Sequence, residues 1–212
     1  DFVAKNDDFL GFVRDLSKLL SSHSEPFSTV DDLKEMKLIN NDSVEEVRAR
    51  LIGKIGENIS IRRFKNMNAK GTLHKYLHGT KIGVLLDLEG GTAEIGKDIA
   101  MHIAASNPTA LSIDKLPEDI VNREKDICLA QTKALNKPPE FIEKIMKGKL
   151  NKILGEMCLL NQPFIKDPSK SVEQYLKDSH SSVHQFVRFE VGEGIEKKQE
   201  NFAEEVRKQL GD

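Results

Sequence analysis

Leu73-His74-Lys75-Tyr76-Leu77-His78-Gly79-Thr80-Lys81-Ile82-Gly83-Val84-Leu85-Leu86-Asp87-Leu88, followed by Glu89-Gly90-Gly91-Thr92, is the stretch whose reading decides the fold. It reads as a β-hairpin that turns near His78-Gly79-Thr80-Lys81 into the apolar run Ile82–Leu86, with Gly90-Gly91-Thr92 as the stop. The pattern then changes period. Ile95, Ile99, His102, Ile103 and Ala104 or Ala105 fall on one face of a helix that ends at Ser106-Asn107-Pro108. Hairpin and helix side by side in sequence predict an α+β protein.

Upstream of the hairpin, Phe9, Leu10, Phe12, Val13, Leu16, Leu19 and Leu20 recur at helical steps, with Asp7 or Asp8 placed to cap. Residues 21–28 are polar, contain Pro26, and read as a loop. A second helix is predicted over Val44–Ile55, capped by Asp42 or Ser43 and stopped by Gly56. Asn58-Ile59-Ser60-Ile61-Arg62-Arg63-Phe64 alternates with period two and predicts a strand with one buried face.

Downstream, Pro117 and Glu118 open a helix carrying Ile120, Val121, Ile127, Ala130, Ala134 and Leu135. It breaks at Asn136-Lys137-Pro138-Pro139. Ile142, Ile145, Met146, Lys149, Leu150, Ile153, Leu154 and Met157 then mark a second helix, so this region predicts an antiparallel helical-hairpin, or coiled-coil, arm. Val172–Leu176 predicts a short helix and Val183–Val191 a strand closed by Gly192-Glu193-Gly194. A final charged helix is predicted over Ile195–Leu210.

The two halves suggest a faint repeat of helix then strand, so the expected architecture is two related small sheet-and-helix subdomains with the arm inserted in the second. The boundaries implied are 1–70 for an N-terminal core subdomain, 71–114 with 168–212 for a C-terminal one, and 115–167 for the arm. The chain opens on Asp1 in mid-pattern and reads as a truncated start.

Composition bounds the function. Among 212 residues, 32 basic and 34 acidic side chains are interspersed for a net charge of −2, without the basic excess a nucleic-acid binder needs for phosphate neutralisation. No apolar run approaches the ~20 residues of a membrane span. Cys128 and Cys158 have no metal or redox spacing, sit at different levels of the arm, and point to a reducing, cytoplasmic setting. Phosphate-loop, zinc-protease and nucleophile-elbow patterns are all missing, and Gly90-Gly91 and Gly192-Glu193-Gly194 read as turn glycines. His74 and His78 lie four apart, but on a strand and turn, where that spacing does not build a ligand pair. His102 reads as a packed core histidine. No cofactor and no catalytic residue are predicted.

Several blocks resemble elongation factor Ts, in order and over the whole chain. They are Asp1-Phe2-Val3-Ala4-Lys5-Asn6, Ile55-Gly56-Glu57-Asn58-Ile59-Ser60-Ile61-Arg62-Arg63, and Tyr76-Leu77-His78-Gly79 with Ile82-Gly83-Val84-Leu85. His102–Pro108, Leu159–Phe164 and Phe189–Lys197 fit as well. The resemblance implies a nucleotide exchange factor for the GTPase elongation factor Tu, not an enzyme, and covers the core and C-terminal region without the family's ubiquitin-associated-like N-terminal domain. It also implies a partner-binding set. Asp1 and Phe2, with Val3 behind them, intrude beside the GTPase's Mg²⁺ and nucleotide site, and Ile55, Gly56 and His78 contact the same domain. The C-terminal half would grip the partner's third domain. A homodimer stays open. The alternative reading is a nucleic-acid-binding or general interaction module using the arm, on the strength of Lys144, Lys147, Lys149 and Lys152.

Overall fold

In a computed structural model, residues 2–23, 29–133 and 139–194 are described. The chain divides into two compact units, Asp1–Asn68 and Ala69–Asp212. The whole is α+β, with small antiparallel sheets confined to the second unit among the described residues.

The first unit is helical. A 3-10 turn over Val3–Lys5 leads into α1, Asp7–Ser22. Asn6, not Asp7 or Asp8, is the cap: its side chain accepts from the amides of Asp8 and Phe9, leaving the two acids in the first turn, where the helix dipole favours them. A helix the period left unmarked, α2 at Val30–Glu35, is set by a reciprocal capping box between Thr29 and Asp32. The same device between Ser43 and Glu46 starts α3, Val44–Ile55, and Gly56 ends it at φ +81°. Phe12, Leu38, Val44, Leu51 and Ile59 form the buried centre, with Val3, Phe9, Leu16, Leu19 and Ile55 packed around them.

The strand expected over Asn58–Phe64 is not formed. Ile59 is buried and Ile61 half-buried, so the period-two signal is real, yet no described strand lies beside the segment to complete a ladder. The Arg48 guanidinium donates to the Ile59 carbonyl, and the Asn66 side chain donates to the Leu20 carbonyl. The segment is a strap along the helices, and the expected helix-then-strand repeat has no sheet in this unit among the described residues.

In the second unit, β1 (Thr72–His78) and β2 (Ile82–Gly90) form the expected hairpin, with Leu73 opposite Asp87 and His78 opposite Ile82. β2 also pairs antiparallel with β5 (Ser181–Glu190), giving the order β1-β2-β5. Between them in sequence lie α4 (Ala93–Ser106), α5 (Glu118–Lys133), α6 (Pro139–Glu156), the ribbon β3 (Pro163–Phe164) with β4 (Asp167–Ser171), and α7 (Val172–Asp178).

α4 lies on the sheet through Ile99, Ala100, Ile103 and Ala104 against Val84, Leu86 and Leu88. Gly96 makes this approach close: a Cβ there would lie 2.3 Å from the His74 ring on β1. Asn107 ends α4 in the left-handed region at φ 45°. The expected helical hairpin is α5 with α6, but the buried stripe of α5 is shifted. Ile127 and Ala130 face solvent while Cys128 and Thr132 are buried. Small side chains let the helices approach, and the Thr132 hydroxyl satisfies itself on the Cys128 carbonyl at 2.6 Å. Both cysteines are free thiols. The predicted turn at Asn136-Lys137-Pro138 and the helix over Ile195–Leu210 lie outside the described residues.

Asp87, with no exposed surface, pins the entrance to the sheet by accepting from the amides of Lys70 and Gly71 at 2.9 Å each. Burial alone pushes its carboxyl up, but those two N–H groups, with the Gln185 side chain and His184, outweigh it and hold the pKa below the ordinary value. A depressed folded-state pKa stabilises the fold above the ordinary carboxylate value of about 3.9, and that contribution is lost as pH falls toward the folded value. Urea midpoints followed into acid are expected to fall over this range in the parent and to fall less steeply in Asp87→Asn. Gly96→Ala is expected to cost about 1–3 kcal/mol by overpacking against His74, read as a lower urea midpoint at unchanged m-value.

Candidate partner-binding site

Asp1 lies outside the described residues. Phe2 stands at the mouth of the 3-10 turn with α-helical backbone angles, its carbonyl accepting from the Lys5 amide at 3.2 Å. Its ring is 95% exposed. The next residue, Val3, turns inward onto the cluster of Phe12 and Leu51, and its carbonyl accepts from the Asn6 amide at 3.0 Å. One residue is anchored and its neighbour is displayed. A single exposed apolar residue is ordinary, but a fully exposed aromatic on a hydrogen-bonded turn is not explained by the chain's own packing.

Ile55 packs on the same cluster as Val3, so the fold brings these two together. Gly56 follows at the C-terminus of α3, its amide donating to the Ile52 carbonyl at 2.8 Å. A Cβ at Gly56 would meet nothing within 4 Å, so the backbone angle and not crowding demands glycine. The surface there is open, with Gly53, Lys54 and Gly56 exposed.

His78 belongs to the other unit. It ends β1, exposed, with Nδ1 3.3 Å from the Tyr76 hydroxyl. Both line a cavity of about 490 Å³ whose other walls include Ile82, Met101, Ile165 and Arg188. Arg188 donates through its Nε and Nη2 to the Ala104 carbonyl at 3.2 Å and pairs with Glu190 at 2.7 Å. An arginine within the apolar run of β5 is the sequence signal for this cavity, and the predicted contact set does not include it. Its role is plain in the fold: it caps the last turn of α4.

The remaining electrostatics are structural. The Lys170 ammonium and the Gln174 amide hold the Asp178 carboxyl below its usual range, and Ser43 does the same for Glu46 within the capping box. Among the described residues there is no cluster of three His, Cys, Asp or Glu able to hold a metal, and no helix is long and apolar enough to cross a membrane.

The family model for elongation factor Ts matches residues 1–193. Elongation factor Ts of Methylococcus capsulatus is 47% identical over 211 residues, covering 99% of this chain and 71% of the relative. The chain belongs to the elongation factor Ts family. Elongation factor Ts proteins of a Janthinobacterium species and of Nitrosomonas eutropha are each 48% identical over 210 residues, again covering 71% of the relative. Within an elongation factor Ts, the exchange role toward elongation factor Tu that the resemblance implied needs displayed contact groups and no catalytic centre.

The exposure of Phe2 sets an expectation that needs no partner. Phe2→Ala is expected to leave stability within about 0.5 kcal/mol of the parent, as for surface positions generally, while Val3→Asp lowers it by more than about 1 kcal/mol. Urea unfolding of the two variants side by side checks this.

Proposed function

We propose that this chain speeds release of guanine nucleotide from elongation factor Tu by inserting Asp1 and Phe2 beside the GTPase's Mg²⁺ and nucleotide site. The observation that carries the reading is Phe2: an aromatic residue 95% exposed, on a turn whose next residue packs, half-buried, against the core. Membership of the elongation factor Ts family supports the choice of partner.

The physics is that of linkage. A factor that binds the nucleotide-free GTPase better than the nucleotide-bound form must weaken nucleotide binding by the same factor. A thousandfold faster release needs about 4 kcal/mol of differential stabilisation. Burying the Phe2 ring contributes roughly 1.5–3 kcal/mol of that. The Asp1 carboxylate supplies the remainder by competing for groups that hold the metal and phosphates. Ile55 and Gly56 extend the contact along the open end of α3, and His78 adds one from the hairpin. In this reading residues 1–70 present the wedge, residues 71–114 with 168–212 hold the partner's third domain, and the arm at 115–167 is accessory. No bond is made or broken, no cofactor enters, and no direct nucleic-acid contact is required. Two free thiols suit a reducing cytoplasm.

The test is release of a fluorescent GDP analogue from elongation factor Tu, with and without the chain. The parent is expected to accelerate release, and Phe2→Ala to lose roughly 10- to 150-fold of that acceleration, the rate equivalent of the ring's burial. Acceleration untouched by Phe2→Ala would remove the wedge. No binding to elongation factor Tu would sink the reading as a whole.

A further inference from the structure

His102 has no exposed surface, and both of its ring nitrogens are used. The Ile165 amide lies 3.2 Å from Nδ1, and the Gln162 Oε1 lies 3.0 Å from Nε2. A backbone amide can only donate, so Nδ1 must carry a lone pair and the ring proton must sit on Nε2. That proton is donated to Gln162 Oε1. The Gln162 amide nitrogen then donates to the Glu156 carbonyl at 2.9 Å, at the C-terminus of α6. The Gln162 carbonyl in turn accepts from the Val172 amide at 2.9 Å, at the start of α7. A relay that runs one way from the Ile165 amide through His102 and the Gln162 side chain to the Glu156 carbonyl, with the Gln162 backbone separately held by Val172, thus joins the cavity wall at Ile165, helix α4 and the exit of the helical hairpin.

We infer that His102 is a proton-sensitive positioning residue: as the Nε2–H tautomer it fastens both the hairpin exit and the Ile165 wall to α4, and a second proton on the ring releases them. The protonated ring would set an N–H at Nδ1 against the N–H of Ile165, and neither could accept. Nothing nearby offers an alternative acceptor at that nitrogen among the described contacts, and the Phe164 ring, its centroid 6.0 Å away, is apolar.

The charged groups around it are few. Asp98 sits one turn earlier on α4 and is paired with Lys166, from the ribbon, at 2.6 Å. Tyr175 of α7 faces Asp98 and Lys166, and Glu94, from the first turn of α4, faces Lys166 and Tyr175. Asp98 and Lys166 largely cancel. Burial pushes the imidazole below its ordinary value, against the pull of Gln162. A lowered folded-state value means the latch is closed above the ordinary histidine value of about 6.5 and opens only as pH falls below it. The Ile165 side chain lines the cavity shared with Tyr76, His78 and Met101, so the same proton that loosens the hairpin exit also loosens that wall. Every group in the latch belongs to this chain, and no partner is needed to open or close it.

Nitrogen-resolved NMR of the imidazoles, with amide exchange, from about pH 8 to about pH 5 tests it on the 212-residue chain. At neutral pH His102 is expected to show an unprotonated Nδ1. Protection of the Ile165 and Val172 amides, corrected for intrinsic exchange, is expected to be lost progressively as pH falls below about 6.5 through the His102 titration, because opening gains by the same factor that the ring binds its proton more tightly when released. Amides of α3 should show no such inflection. In Gln162→Glu a carboxylate faces Nε2–H, favours the charged ring, and should move the inflection to higher pH. An Nδ1–H tautomer, Ile165 protection that ignores the His102 titration, or an inflection unmoved by Gln162→Glu would each overturn the inference.

Discussion

The packing of α4 on the β1-β2-β5 sheet is the interaction on which the second unit depends. Ile99 and Ile103 fill the space over Val84, Leu86 and Leu88, and all five are buried. At roughly 1.5–3 kcal/mol for each side chain removed from water, this layer is a large part of what holds the unit together. Its closeness is set by the missing side chain at Gly96, which lets the helix meet the His74 ring. Other parts then attach to α4 by polar groups, two of them, Arg188 and His102, largely shielded from water. Arg188 ties β5 to its last turn, Lys166 ties the β3–β4 ribbon to Asp98, and His102 ties the hairpin exit to its middle. Hydrophobic burial fixes where the helix lies, and the hydrogen bonds fix what lies against it.

The first unit is organised differently. Its helices begin with side-chain caps at Asn6, Thr29 and Ser43, and its core is a single apolar cluster. The strap from Glu57 onward follows the helices without a strand partner among the described residues. Alternating burial at Ile59 and Ile61 shows why period two is necessary for a strand but not sufficient. An apolar face tells the chain which side goes down, whereas a sheet also needs a neighbouring backbone.

Legibility in the sequence followed that distinction. The hairpin, α4 and β5 were readable because each is a strongly patterned run stopped by Gly or Asn-Pro, and α7 because Val172 and Leu176 stand one helical turn apart. The fold class was therefore readable too. α2 was missed because six residues are too short for a period, although its Thr29–Asp32 capping pair was visible. The ribbon at Pro163–Ser171 gave no signal, since two paired positions have no period at all. On α5 the largest apolar residues suggest one inward face, yet Cys128 and Thr132 are the buried ones. Close helix approach rewards small side chains, which hydropathy undervalues. For the candidate site, Phe2, Ile55 and Gly56 were singled out by resemblance, and their local physics was partly legible, as in the glycine stop after α3. The cavity at His78 was not, because Met101, Ile165 and Arg188 come from three separated stretches that only the tertiary fold assembles.

The turn that carries Phe2 has a kinetic meaning. Its backbone is held by the Lys5 and Asn6 amides and its neighbour Val3 packs against the core, so the backbone that carries the ring is in place before any encounter. A backbone already in position gives up little freedom on docking, which leaves the side-chain rotamers as the freedom that burial of the ring costs. On the proposed reading, the slow event in exchange then belongs to the GTPase. The wedge waits, and the speed of nucleotide loss reports how often the partner's own helices part far enough to admit it.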